Sequence, residues 1–392
     1  MKHVISLNGL DQSGKTTQAE RIKEHYGLAH VVGKLKRYDV WPKLEGKAYF
    51  NWGFREGPTE EFVRIIYKSL TQRNKEIKET NAPLLVLDRG NHIFDSVCVA
   101  TTAVREEWPA PRAKDFVMRI RKDYDLPNPA GLDIFLLHGD TPEEMFRVSF
   151  EREDLSNLDE TSRAIYQRYQ GVLANVLGNQ INSGDYPIVR TDGPQEQVFE
   201  RVRKLIDNTI RGSLNLSTIE RIVGLGGLSE CGKSTFGRHL EKKGFQRIKI
   251  GDIIDKIGER YSQITTDLQE GAYSSDPNFL AGLFLEELTQ ENSPEIVVES
   301  LHRFQFTAGI KRVLGNRFQI VYIETPRKIR IERESVKSSI ELQESEKEVD
   351  RKDRVKTDRE ADKIRGIADL VIDNSGELDY SINQLNTALR LK

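Results

Sequence analysis

The sequence predicts an α/β protein made of two units in tandem, each a doubly wound parallel sheet with flanking helices and a lid. Short apolar runs alternate with polar helical stretches along the chain, the pattern of parallel strands joined by crossover helices. A glycine loop of one pattern occurs twice, at residues 9–16 and 227–234. Four elements then follow in the same order in each half. A length of 392 residues also exceeds what one hydrophobic core usually serves.

In the first half, residues 3–7 read as a strand, followed by the glycine loop and a helix over about 15–25. The Asn-Ala-Pro turn at 81–83 leads into LLVLD, a buried-strand pattern at 84–88 that ends in a carboxylate. DIFLLHGDTPEEMFRV supplies a strand over 133–138 that runs into a helix near Pro142. A last strand, 186–190, precedes Asp192-Gly193 and a closing helix to about Ile210. The second half repeats the cycle. IERIVGLGG gives strand and loop, a helix covers 233–243, and 246–250 and EIVVES at 295–300 are strands. RFQIVYIETPRKIRIER matches the first DTPEE segment, and ADLVIDNSGELD matches the final strand, turn and helix. Units are therefore expected at 1–211 and 219–392, with a Gly/Ser-bearing linker at 212–218.

Composition narrows the function classes. Hydrophobic residues at 37% suffice for a core in each half, and a formal net charge of -2 supplies no global field toward nucleic acid or membrane. Two cysteines, Cys98 and Cys231, lie in different halves outside any Cys/His cluster, which argues for a reducing compartment and against structural zinc. The N-terminal apolar run is too short for a signal peptide, and no stretch approaches the roughly 20 apolar residues of a membrane span. The expected location is the cytoplasm.

Both loops fit G-x-x-x-x-G-K-[ST]. Gly9, Ser13, Gly14, Lys15, Thr16 and Thr17 form the first, and Gly227, Cys231, Gly232, Lys233, Ser234 and Thr235 the second. The glycines let backbone N–H groups turn inward around an anionic phosphate at the positive end of the following helix. Lys15 and Lys233 reach the β- and γ-phosphates of ATP, while the Thr16 and Ser234 hydroxyls coordinate Mg²⁺. Each copy follows a strand and opens a helix, the context this motif requires.

GLDQSGKTTQAERI together with LLVLDRG resembles thymidylate kinases over nearly all of residues 1–210, most specifically at the loop and at Asp88-Arg89. The resemblance implies that Asp11 meets the sugar hydroxyl of the acceptor nucleotide. It also implies that Asp88 holds Mg²⁺ through water and that Arg89 grips the acceptor phosphate, a task suited to guanidinium. Arg147 and Arg152, in FRVSFERED, would be lid arginines that neutralise charge in the transition state, since the loop itself carries Gln12 rather than arginine. Lys36-Arg37-Tyr38 stands where an acceptor-contacting arginine is expected, and either Arg73 or Arg64 would lie near the acceptor base. Gly90-Asn91-His92 departs from the family's aromatic-then-serine pattern, which leaves the base open between thymine and a modified pyrimidine. Thymidylate kinases are commonly dimers, which implies a homodimer unless the second unit occupies that surface.

The second half resembles dephospho-CoA kinases and phage deoxynucleoside monophosphate kinases, most specifically at the loop and at ADLVIDNSG. The resemblance implies that the turn carrying Asn374 lies by the donor adenine and that Glu299 takes the metal-side carboxylate position. It places Arg330 at the start of the lid and Arg303 just after the carboxylate strand. Asp252 is an acceptor-side acid or a simple helix cap. Arg354 is a lid candidate within the mixed charge run at 350–360, although such runs are usually solvated helices. The expected protein is a tandem ATP- and Mg²⁺-dependent nucleotide kinase whose first unit converts a pyrimidine deoxynucleoside monophosphate to the diphosphate. Its rivals are one kinase with a nucleotide-binding regulatory unit, and a polynucleotide end kinase. Neutral charge disfavours the latter, so nucleotides and not nucleic acid or membrane are the expected partners.

Overall fold

A computed structural model describes residues 2–26, 29–151, 158–212, 214, 216, 219–260, 277–291 and 293–391. The chain divides into two compact units, Met1–Thr209 and Ile210–Lys392.

In the first unit the elements run β1 (His3–Asn8), α1 (Lys15–His25), β2 (Ala29–Val32), α2 (Gly46–Phe54), α3 (Thr59–Glu79) and β3 (Leu84–Asp88). They continue with α4 (Asn91–Arg105), α5 (Ala110–Arg121), β4 (Leu132–Leu137), α6 (Pro142–Glu151), α7 (Glu160–Ser183), β5 (Ile188–Arg190) and α8 (Gln195–Gly212), whose last residues pass the unit boundary after Thr209. The strands form a parallel sheet in the order β2-β3-β1-β4-β5. Central β1 is buried along its whole length, and Ile5 pairs with Val86 on one side and Leu132 on the other. Strands covered on both faces need apolar residues at every position rather than alternate ones, which is why LLVLD is apolar up to its final carboxylate.

The second unit runs β6 (Arg221–Gly226), α9 (Lys233–Lys242), β7 (Gln246–Lys249), α10 (Ile250–Arg260), α11 (Pro277–Gln290) and β8 (Glu295–Leu301). It closes with α12 (Phe304–Leu314), β9 (Phe318–Glu324), α13 (Arg327–Ser338), α14 (Leu342–Asp358), β10 (Leu370–Asp373) and α15 (Leu378–Leu389). Its parallel sheet has the order β7-β8-β6-β9-β10, the same connectivity as the first. Both units are thus doubly wound. In each, the loop strand is flanked by the carboxylate-bearing strand, so the two C-terminal ends open onto one crevice.

The structure refines the sequence reading at the margins. β2 has four residues, too short a run to stand out as a strand in the sequence. Ile250, expected to end a strand, opens α10 instead, where its side chain is buried. β5 starts at Ile188 rather than at Tyr186, whose ring packs edge-tilted on Phe135, 5.0 Å between centroids.

Gly224, mid-way along β6, shows how closely the sheet is packed. A Cβ there would lie 2.6 Å from Leu301 Cδ1 and 2.7 Å from Phe318 Cε2. Gly171 in α7 has open space around the same position. Gly224→Ala is expected to destabilise the fold by about 1–3 kcal/mol through overpacking. Gly171→Ala is expected to stabilise it by about 0.5–1 kcal/mol, because alanine loses less entropy in a helix. Urea unfolding of both variants against the parent chain checks the pair, and equal shifts would contradict the packing.

Candidate phosphate-binding sites

The two loops fold alike, position for position. Gly9, Gln12 and Gly14 have φ of 141°, 59° and 89°, and Gly227, Glu230 and Gly232 have 130°, 57° and 108°. These left-handed residues are what turns the intervening N–H groups inward. A side chain at Gly9 would meet Leu136 O at 2.4 Å, and one at Gly227 would meet Ile323 O at 2.5 Å, so both first glycines are also required by space. Gly14 and Gly232 then cap α1 and α9.

Each loop is closed around its own lysine. Lys15 is 5% exposed, and its ammonium donates to Leu10 O at 2.5 Å and Ser13 Oγ at 3.2 Å. Lys233 donates to Gly227 O at 2.9 Å, Leu228 O at 2.6 Å and Cys231 Sγ at 3.4 Å. Burial, and after it the Arg89 charge, hold the Lys15 amine down at about 8. An anion placed in the loop relieves both effects.

At the next residue the hydroxyl meets the strand-end carboxylate. Thr16 Oγ1 donates to Asp88 Oδ2 at 2.8 Å, and Ser234 Oγ to Glu299 Oε2 at 3.2 Å. One hydroxyl, one carboxylate and phosphate oxygens are a donor set that suits Mg²⁺, which keeps several waters. The residue after each carboxylate is in the left-handed region, Arg89 at φ 78° and Ser300 at 73°. Such strain in non-glycine residues gathers at functional sites.

In the first unit Arg89 is aimed at Asp11, to whose carboxylate it donates. Tyr166 and Gln170 on α7 donate to the other oxygen at 2.9 and 2.8 Å. Burial alone would raise the Asp11 carboxyl, but the Arg89 and Lys15 charges and these hydrogen bonds outweigh it and hold it at about 2. Gly90 lets the turn press against β1: a Cβ would lie 2.6 Å from Ser6 Oγ and 2.8 Å from Asp133 Oδ1. The departure from an aromatic residue in that neighbourhood therefore has a packing cause.

A cavity of about 1010 Å³ opens over this cluster. Lys34, Lys36 and Lys43 join Lys15, Arg37 and Arg89 in its wall, against the carboxylates of Asp11, Glu45 and Asp88. Trp41, Tyr49 and Phe94 supply apolar faces. Cations in excess together with aromatic rings suit a ligand having both phosphates and a planar ring. Arg37 lies in this wall, ion-paired to Glu76, which also accepts from Tyr38 at 2.6 Å.

Several expected residues lie elsewhere. Arg73 is 1% exposed and outside the cavity wall, with its guanidinium bonded to Arg89 O at 2.7 Å and Asn91 Oδ1 at 2.8 Å. It braces the strained turn from beneath rather than meeting an acceptor. Arg64, the alternative, is tied to Glu60 and Asp123 on the surface. Arg147 is exposed, paired with Glu151 one helical turn on, and not among the residues of the cavity wall. Arg152 lies outside the described residues.

In the second unit Glu299 is 2% exposed and both its oxygens accept from Arg247, at 2.6 and 3.3 Å. Arg330 is buried and bonded to Ser229 O at 3.1 Å and Asp353 Oδ2 at 2.6 Å, so it reaches the loop by its backbone. Asn374 is likewise buried, donating to Cys231 O at 2.8 Å, and supports the loop from the β10 side. Arg303 is half-buried as the N-cap of α12, and Asp252 is exposed in the first turn of α10. Arg354 is on the exposed face of α14, whereas Asp353 and Lys356 are on the loop-facing side. The sequence reading missed Trp41, Tyr49, Gln170, Arg247 and Lys356.

Because the folded Asp11 carboxyl titrates at about 2 and its ordinary value is 3.8, the folded chain binds fewer protons between them. Its contribution, about 2 kcal/mol, is complete above pH 4 and lost as pH falls through about 2. Asp11→Asn is expected to lower stability at pH 7 and flatten the dependence between pH 4 and 2 in urea titrations. An unchanged acid limb in the variant would contradict this.

No protein-family model matches the chain. A UPF0200 protein of Saccharolobus islandicus is 25% identical over 166 residues, covering 41% of this chain and 87% of that protein, and one of Saccharolobus solfataricus matches equally. Among solved structures, thymidylate kinase from Candida albicans is similar at 14% identity, covering 53% of this chain and 92% of that one with a TM-score of 0.38. Deoxyadenosine kinase from M. mycoides, with dCMP and dCDP bound, is similar at 13% identity, 52% and 99% coverage and a TM-score of 0.38.

Proposed function

We propose that the chain is an ATP- and Mg²⁺-dependent nucleotide kinase with a phosphate-binding site in each unit. The first unit phosphorylates a pyrimidine deoxynucleoside monophosphate, dTMP or a modified deoxyuridylate, to its diphosphate. The second acts on a further nucleotide or small molecule. The observation that carries this reading is the convergence of Lys15, the Thr16–Asp88 pair and the Arg89–Asp11 pair on one cation-rich, aromatic-lined cavity.

In this scheme the loop amides and Lys15 hold the donor phosphates, and Arg89 holds the acceptor phosphate. The terminal phosphoryl group leaves the oxygen bridging the β- and γ-phosphates and joins an acceptor phosphate oxygen. Thr16 and Asp88 would hold Mg²⁺, which supplies charge neutralisation between the phosphates. The protein contributes positioning and charge rather than a covalent intermediate. Asp11 fixes the direction of Arg89, and Trp41, Tyr49 and Phe94 provide the surface for a base.

A second reading, one kinase with a nucleotide-binding partner unit, is favoured by the Arg247–Glu299 ion pair. That guanidinium already neutralises the carboxylate that would serve the metal. Separate Lys15→Ala and Lys233→Ala chains, assayed for ADP release with deoxynucleoside monophosphates, modified deoxyuridylates and dephospho-CoA, decide between them. Lys15→Ala is expected to cut pyrimidine phosphorylation by at least about a hundredfold. Loss of a different acceptor activity in Lys233→Ala supports two kinases, and no loss of any activity supports the second reading. Phosphorylation of DNA ends, with none of free mononucleotides, would overturn both.

A further inference from the structure

We propose that Lys356 is the lid cation of the second unit, and that it and Lys233 hold the terminal phosphate of a nucleoside triphosphate between two ammonium groups. This rests on the reading of the second loop as a nucleotide site.

The placement comes from α14. Val349, Asp353 and Lys356 are spaced four and three residues apart and so share one face of the helix. Val349 is fully buried, which identifies that face as the inner one, while Arg351, Arg354 and Val355 on other faces are exposed. Three sets of charge pairs fasten α14 to α13: Arg327 to Glu346 and Asp350, Arg330 to Asp353, and Lys352 to Glu334. At its inner end Asp353 Oδ1 accepts the Ser229 N–H of the loop at 3.2 Å, which ties the helix directly to the phosphate-binding backbone. Lys356 follows Asp353 by one turn on this inner face, and the Lys233 charge is near enough to act on its amine.

Among the described residues no carboxylate lies within ion-pair distance of the Lys356 amine. Two ammonium groups near one another and partly out of water repel. Burial and then the Lys233 charge accordingly hold the Lys356 amine at about 7. A dense anion between them turns that repulsion into two attractions. Lys233 is the loop lysine, the residue that reaches the outer phosphates of a bound nucleotide. A cation brought near it from the inner face of α14 is therefore beside the terminal phosphate and not the base or sugar. The Asp353 carboxylate rests on a loop amide in the present arrangement, and a phosphate arriving there would displace it by like-charge repulsion.

The test uses the full-length chain carrying Lys15→Ala, so that nucleotide binding reports the second loop, with ATP and ADP titrated calorimetrically in Mg²⁺. Adding Lys356→Ala is expected to weaken ATP about tenfold while changing ADP by less than about twofold, the loss of one charge-assisted contact to the terminal phosphate. Lys356→Arg is expected to restore ATP binding to within about threefold of the Lys15→Ala chain. Equal weakening of ATP and ADP, or no weakening of either, would assign Lys356 a structural role and overturn the proposal. Adding Lys233→Ala instead tests the reading beneath it: unchanged ATP affinity there would show that the second loop is not a nucleotide site at all.

Discussion

A buried lysine ammonium whose direct hydrogen bonds go to loop carbonyls and a side-chain oxygen or sulfur is the interaction around which each unit is organised. Lys15 and Lys233 fold back onto their own loops, held by Leu10 O in one case and by Gly227 O and Leu228 O in the other. Buried cations are costly without a compensating anion. Both loops therefore store a demand for negative charge, and three left-handed residues in each keep the backbone N–H groups pointing where that charge would sit. The parallel sheets bring a carboxylate to the same crevice by placing β3 beside β1 and β8 beside β6.

From this shared frame the units diverge in how their charges are paired. In the first, Asp88 takes a hydrogen bond from Thr16, and the adjacent Arg89 is aimed at Asp11. In the second, Glu299 is already engaged by Arg247, and Ser300 stands at the strained position that Arg89 occupies in the first. The cation missing from that position has a counterpart on α14, where Lys356 approaches Lys233. Closely similar loop backbones thus carry unlike surroundings.

Local features were legible in the sequence because they are set by neighbouring residues. The strand–loop–helix unit, the capping glycines and the strand-end carboxylates follow from spacing and backbone geometry alone. Arg73 was misplaced because an arginine on a helix can reach a ligand or brace a turn, and only the packing of α3 under Arg89 separates the two. The charge run at 350–360 concealed which face of α14 is inward. Two buried residues one turn apart, Ser345 and Val349, orient the helix and turn Lys356 rather than Arg354 toward the loop. Trp41 lies in the connection before α2 and Tyr49 within that short helix, so their shared place in the cavity wall is visible only once the chain is folded.

The central claim is that each loop is an independent nucleotide-phosphate site. It is tested most directly by the number of ATP molecules bound per unmodified chain in Mg²⁺, measured by isothermal titration calorimetry or equilibrium dialysis. Two per chain, falling to one in either single lysine variant, is the expected result. A stoichiometry of one in the unmodified chain, abolished by Lys15→Ala and untouched by Lys233→Ala, would contradict it.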